Sequence, residues 1–213
     1  VNHDDLWSFE GKNVPIHWHN DLEINLIREG EAVFQVYQKS YRVRTGEGFL
    51  LNRNVPHSCS SPGNEHVRYS TILVRPDFLY GDFGSDVERK CFQPFLQNSA
   101  IPCIYLTGFD ENGKEILWKL NQVEEAFDRK RFCYELKIKG LLCEAFAMIL
   151  YGHRQELTKF VPANLQELER LEKMLNYLNM HFTEVISLQD LARSEEHTSD
   201  SSHANVSRMP SSA

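Results

Sequence analysis

No stretch of this 213-residue chain approaches the roughly 18 consecutive apolar residues that a membrane-spanning helix needs. No basic segment followed by an apolar core opens it either, so neither a membrane span nor a secretory leader is expected. Positive charge is in short supply. Twenty-three Lys and Arg against 30 Asp and Glu leave a net charge of -7, which argues against the whole chain being an electrostatic nucleic-acid binder. The five cysteines (Cys59, Cys91, Cys103, Cys133, Cys143) are odd in number and none stands in C-x-x-C spacing. They are expected to be buried reduced thiols of a cytosolic protein. A nucleophile elbow, a phosphate-binding glycine loop and a Ser-His-acid arrangement are all missing, so no catalytic residue is assigned. What is present, 41% apolar and 25% charged residues, is the composition of an ordinary globular chain of one large or two small domains.

Residues 14–75 are patterned as β-structure. Leu22-Glu23-Ile24-Asn25-Leu26-Ile27 alternates, Glu29-Gly30-Glu31 makes a turn, and Ala32-Val33-Phe34-Gln35-Val36-Tyr37 alternates again, which predicts a hairpin. Within it Gly11, His17, His19, Glu23 and Gly30 are spaced G-x5-H-x-H-x3-E-x6-G. Side chains two apart on a strand share a face, and Glu23 keeps the parity of the two histidines. Three groups able to bind a metal or a polar ligand should therefore converge. His57, after the Gly46 turn and Asn54-Val55-Pro56, can supply a fourth. Asn25, Gln35 and Tyr37 are expected on the same inward side as hydrogen-bonding groups for a small polar ligand. Without a metal, the four residues would line a pocket or bond one another. Trp18, Leu22, Ile24 and Leu26 have the opposite parity and should pack against helices or a second sheet. The motif resembles that of cupin-type small β-barrels.

From about Glu111 the period changes. Ile116, Leu117, Leu120, Val123 and Phe127 are helically spaced, and Leu136, Ile138, Leu141, Leu142, Ala145, Phe146 and Ile149 form a second helix to about Gly152. A short connection predicts an antiparallel pair packed on the barrel or on another subunit. Glu124, Glu125, Asp128, Arg129, Lys130 and Arg131 read as a solvated face. After Pro162 and Asn164, Leu165, Leu168, Leu171, Leu175 and Leu178 mark a third helix. Ser187 is an expected N-cap of a fourth, with Asp190 at its third position. Residues 194–213 hold seven serines and no Leu, Ile, Phe, Tyr or Trp, which predicts no ordered packing.

The order of these parts resembles AraC/XylS-type bacterial transcription regulators over about residues 10–193. The segment from His17-Trp18-His19 to Glu23-Ile24, joined to Ile186-Ser187-Leu188-Gln189-Asp190-Leu191-Ala192, carries the resemblance most specifically. Gly46-Glu47-Gly48-Phe49-Leu50-Leu51 with Pro56-His57-Ser58 resembles the second half of the sensor barrel. It departs from the enzyme-cupin motif, which places a glycine between proline and histidine. The resemblance implies a cytoplasmic, non-enzymatic protein, mainly β plus α. A cupin-like effector-binding barrel (1–108) would precede a helical dimerisation pair (109–160) and the truncated start of a helix-turn-helix domain (161–193). It further implies a small-molecule effector such as a sugar or related metabolite, a homodimer, no required cofactor, and promoter DNA as partner only in the full-length protein. Its expected ligand-binding residues are His17, His19, Glu23, Asn25, Gln35, Tyr37 and His57. The alternative is a metal-dependent cupin enzyme of the isomerase or dioxygenase class, with His17, His19, Glu23 and His57 on a divalent metal. Residues 194–213 resemble translated sequencing-adapter read-through, and the native sequence is expected to depart from this one near residue 193.

Overall fold

The structure is a computed structural model. It describes residues 1–63 and 65–159, together with Met174 and Tyr177, and almost all of these lie in one compact unit, Val1–Pro162. The expected helices at 165–182 and 187–192 and the segment 194–213 lie outside the described residues.

Nine strands are described: β1 (Asn2–Asp5), β2 (Asn13–His17), β3 (Leu22–Glu29), β4 (Glu31–Val36), β5 (Lys39–Arg44), β6 (Gly48–Leu51), β7 (His57–Ser60), β8 (Arg68–Val74) and β9 (Cys103–Leu106). They form two antiparallel sheets, one in the order β1-β8-β3-β6-β9 and the other β2-β7-β4-β5. The alternation read in the sequence explains the layering. Ile27, Phe49, Leu51 and Tyr69 of the first sheet meet Phe34, Val36, Val43 and Cys59 of the second in an inner core. Leu22, Ile24, Leu26, Leu50, Ile72 and Val74 face the other way and pack against helices.

Those helices are α1 (Pro76–Tyr80), α2 (Gln93–Leu96), α3 (Glu111–Arg129), α4 (Tyr134–Gly152) and α5 (Arg154–Thr158). Asp110 caps α3 by accepting from the Gly113 backbone N–H at 2.6 Å. Ile116, Leu120 and Val123 of α3 and Leu142, Phe146 and Ile149 of α4 are buried in the outer core. The expected helix pair is therefore present and covers the outer face of the first sheet. Among the described residues no helix is long and apolar enough to cross a membrane.

Four local expectations are corrected. The 22–37 segment is not a hairpin: β3 pairs with β6 and β8, while β4 pairs with β5 and β7 in the other sheet. Gly30 makes the corner between sheets, at φ +80°, where an added Cβ would fall 2.2 Å from the His66 carbonyl oxygen. The H-x-H pair does not share a strand either, since β2 ends at His17 and His19 lies in the connection to β3. Trp18 lies in that connection too and is half-buried, outside both cores. The thiols are free, but only Cys59 is buried, and Cys91 and Cys133 are exposed.

Candidate functional site

One end of the inter-sheet space gathers four side chains from four places. His17 closes β2, His57 opens β7 directly opposite it, His19 comes from the β2–β3 connection, and Glu23 stands on β3 of the other sheet. Their ligand atoms lie within 4.8 Å of one another. The ring centres of His17 and His57 are 4.3 Å apart, and His19 sits 5.4 Å from His57 and 5.8 Å from His17.

A bulge makes this convergence. The β2–β7 register runs Val14 opposite Cys59 but His17 opposite His57, so β2 carries one extra residue. Three positions separate Val14, which packs on the inner core, from His17, an odd spacing that on a regular strand would turn His17 outward. The bulge restores it to the inner side. Pro15 lies inside that stretch, on the edge strand of its sheet, where a missing backbone N–H is tolerated.

Each imidazole is anchored through its Nδ1. His17 bonds the Pro15 carbonyl at 3.0 Å, His19 the Asp21 carbonyl at 3.0 Å, and His57 the Val55 carbonyl at 2.8 Å. A carbonyl only accepts, so all three Nδ1 atoms carry hydrogen and each Nε2 is turned toward the cluster. His19 Nε2 lies 2.7 Å from Glu23 Oε2, which makes His19 a donor at both nitrogens, and its proton affinity is raised by that bond. Burial and the neighbouring His57 lower the affinity of His17 for a proton. Burial opposes ionisation of Glu23, which is only 7% exposed, but the bond from His19, the proximity of His57 and the bond from Asn25 outweigh it. Its carboxyl is held well below the usual carboxylate range. His57 Nε2 is 3.3 Å from Glu23 Oε2 but off the hydrogen-bond direction. It is a buried polar atom without a hydrogen-bond partner on a side chain 2% exposed.

Asn25 belongs to the same assembly. Its Nδ2 donates to Glu23 Oε1 at 2.7 Å, and its Oδ1 accepts from the Thr71 hydroxyl at 3.0 Å. That hydroxyl also lies 3.2 Å from Asp4 Oδ2 on β1. Gln35 and Tyr37 are placed elsewhere. Gln35 alternates with the inward Phe34 and Val36, and its amide is engaged outside by the Tyr37 carbonyl and the Ser40 hydroxyl. Tyr37 lies in the β4–β5 turn at φ +52°, 46% exposed, with burial and nearby Cys103 raising its phenol. The inward expectation for both rested on a hairpin register that the corner at Gly30 replaces.

Sequence reasoning missed Thr71 and the bulge. Pro15, two residues before His17, was the signal for the second. It also missed an ion-pair group that ties β1 to α3. Arg28 pairs with Glu124, the Ser70 hydroxyl donates to Glu124 at 2.6 Å, and His3 lies 3.0 Å from Asp128.

Two facing antiparallel sheets with a polar cluster at one end define a cupin-like ligand-binding barrel. Residues 6–103 match the AraC-like ligand binding domain. It is 24% identical over 181 residues to YdeC, an uncharacterized HTH-type transcriptional regulator of Bacillus subtilis (strain 168), covering 84% of this chain. The chain spans 60% of the length of that curated relative. Apo ToxT K231A from Vibrio cholerae strain SCE256 shares the fold with a TM-score of 0.50 at 15% identity, over 92% of this chain and 69% of its own.

Proposed function

We propose that this chain is the effector-sensing portion of an AraC-type transcriptional regulator, and that the His17, His19, Glu23, His57 cluster with Asn25 receives a small polar effector such as a sugar or related metabolite. The observation that carries the reading is the buried, pre-oriented polar group at the end of an otherwise apolar barrel, in a segment matching a ligand-binding family. Residues 1–108 are the sensor, 109–160 the dimerisation pair, and 161–193 the start of a helix-turn-helix domain. Promoter DNA is bound only by the full-length, cytoplasmic protein. The reading needs no catalytic step and no obligatory cofactor, although the same four donors can take a divalent metal. Effector binding would act by favouring one arrangement of barrel and DNA-binding domain over another.

The test uses the full-length gene with an operator reporter. Alanine at His17, His19 or Glu23 should abolish the effector response while the protein still accumulates. An intact response in all three variants would show that the effector binds elsewhere.

A further inference from the structure

We infer that strand β1 couples the polar cluster to helix α3, with the Thr71 hydroxyl as the two-position element between them. The inference rests on the reading of the cluster as the effector site, and says how its occupancy is felt outside the barrel.

The first sheet carries the connection on both of its faces. Asp4 and Thr71 bond one another on the inner face. Their chain neighbours His3 and Ser70 stand opposite each other and face α3, because successive strand residues point to opposite sides. On the inner face hydrogen bonds run from His19 to Glu23, Asn25, Thr71 and Asp4, at 2.7, 2.7, 3.0 and 3.2 Å. On the outer face His3 Nδ1 lies 3.2 Å from Glu124 Oε1, and its Nε2 lies 3.0 Å from Asp128 Oδ1. The strand β1 is four residues long, stands at the edge of its sheet and has β8 as its neighbour there. These side-chain bonds therefore weigh heavily in where it sits.

One hydrogen decides how the inner bonds are shared. Glu23 is ionised, so the Asn25 amide turns Nδ2 to Oε1 and leaves Oδ1 facing Thr71. The Thr71 hydroxyl then has two acceptors, Asn25 Oδ1 at 3.0 Å and Asp4 Oδ2 at 3.2 Å, and a single hydrogen. Asn25 is fully buried, whereas Asp4 borders an open cleft of about 450 Å³ that His3, Arg28, Ser70 and Glu124 also line. Water can serve Asp4 and not Asn25, so burial favours the hydrogen on Asn25. An effector that donates to both Glu23 Oε1 and the Asn25 carbonyl, as two adjacent hydroxyls can, turns the amide over. Nδ2 then donates to the Thr71 oxygen, and the hydroxyl hydrogen moves to Asp4. This gives β1 a bond on its inner face and holds His3, the next residue, more firmly against Glu124 and Asp128 of α3. Both ends thus bias one two-position element, which is what coupling between sites requires.

Backbone hydrogen exchange of the whole 213-residue chain, read by mass spectrometry with no effector added, tests this. Glu23→Gln imitates occupancy while keeping the side-chain shape. Donation from His19 directs the new amide's oxygen to His19, so its nitrogen donates to Asn25 Oδ1 and turns that amide over. Exchange in residues 2–5 should slow at least about 3-fold, the worth of one added hydrogen bond, and exchange in residues 121–129 should slow with it. A merely structural role for Glu23 gives the opposite sign, faster exchange. Thr71→Val in the same chain should cancel the slowing throughout, and His3→Ala should cancel it in α3 while keeping it in β1. Asp4→Asn, at a half-buried edge position, keeps the test open if Glu23→Gln does not fold. Its amide donates to the Thr71 oxygen, leaves the hydroxyl hydrogen to Asn25 and should slow β1 by a similar factor. Unchanged or faster β1 exchange in a folded Glu23→Gln or in Asp4→Asn would overturn the inference. So would slowing that survives Thr71→Val, or an α3 response that survives His3→Ala. The two readings fail separately. Coupled exchange in a protein whose operator reporter ignores His17, His19 and Glu23 keeps the coupling and removes the effector. A reporter that needs those residues, with β1 indifferent to Glu23→Gln, does the reverse.

Discussion

Individual side chains in this barrel differ sharply in chemistry according to which core they join. Cys59 stands on β7 two residues after His57, facing the inner core, and burial together with the Glu23 charge pushes its thiol up to about 12. Cys91 and Cys133 are exposed. The thiolate is the reactive form, so Cys59 should be inert at neutral pH. Timed labelling with a thiol reagent, read by peptide mass spectrometry at pH 8, should modify Cys91 and Cys133 first and Cys59 only after unfolding. Early labelling of Cys59 in the native protein would mean that the inner core opens more readily than its packing implies. The sequence showed which residues at this scale had the right chemistry. It did not show that His57 would be left with a buried, unpartnered nitrogen, because that depends on angles set by both sheets.

At the scale of elements, strand and helix patterns were largely legible. The 3.6-residue spacing of Ile116, Leu120 and Val123 and of Leu142, Phe146 and Ile149 reappears as buried faces of α3 and α4. Alternation in β3 correctly separated Leu22, Ile24 and Leu26 from Glu23 and Asn25. Strand partnership was not legible. Alternation followed by a glycine is compatible with a hairpin or with a corner between sheets, and the choice shows only in the long-range pairing, β3 with β6 and β8, β4 with β5 and β7. The charged stretch of α3 was likewise read as solvated. Glu124 instead collects Arg28 of β3, Ser70 of β8 and His3 of β1, with its side chain 14% exposed. Glu124→Ala should therefore lower stability by about 1–2 kcal/mol, more than a surface pair but less than a fully buried one. Urea denaturation measures this directly, and an unchanged midpoint would reduce the group to an incidental surface contact.

For the molecule as a whole, the helix pair has two sides. One is spent on the first sheet. The other leaves Leu136 71% exposed and Tyr151 69% exposed along α4, with Phe132 at the α3–α4 connection 99% exposed. Apolar side chains aligned outward on a helix suit a self-complementary contact between two copies, in keeping with the proposed homodimer. Leu136→Glu places a charge in the proposed contact, and the expected outcome is a monomeric variant with unchanged helix content beside a dimeric wild type. Light scattering across a concentration series supplies the mass. A wild-type chain that is monomeric throughout, or a variant that stays dimeric, would move the dimer contact off α4.

The residue types, their spacing and the hydrophobic period are local properties. By themselves they determined that this chain has short strands followed by two amphipathic helices, and that His17, His19, Glu23 and His57 are its chemically promising set. Parity alone, however, assumed one straight strand through His17, His19 and Glu23. The tertiary structure brought the four together by other means: a bulge beside Pro15, a turn that places His19, and two sheets that hold His57 opposite His17 and within reach of Glu23. Convergence across sheets is decided by packing between residues distant in the chain, and no local pattern encodes it. For the same reason Asn25 was foreseen as an inward polar group, while its place between Glu23 and Thr71 became visible only once β3 and β8 were paired.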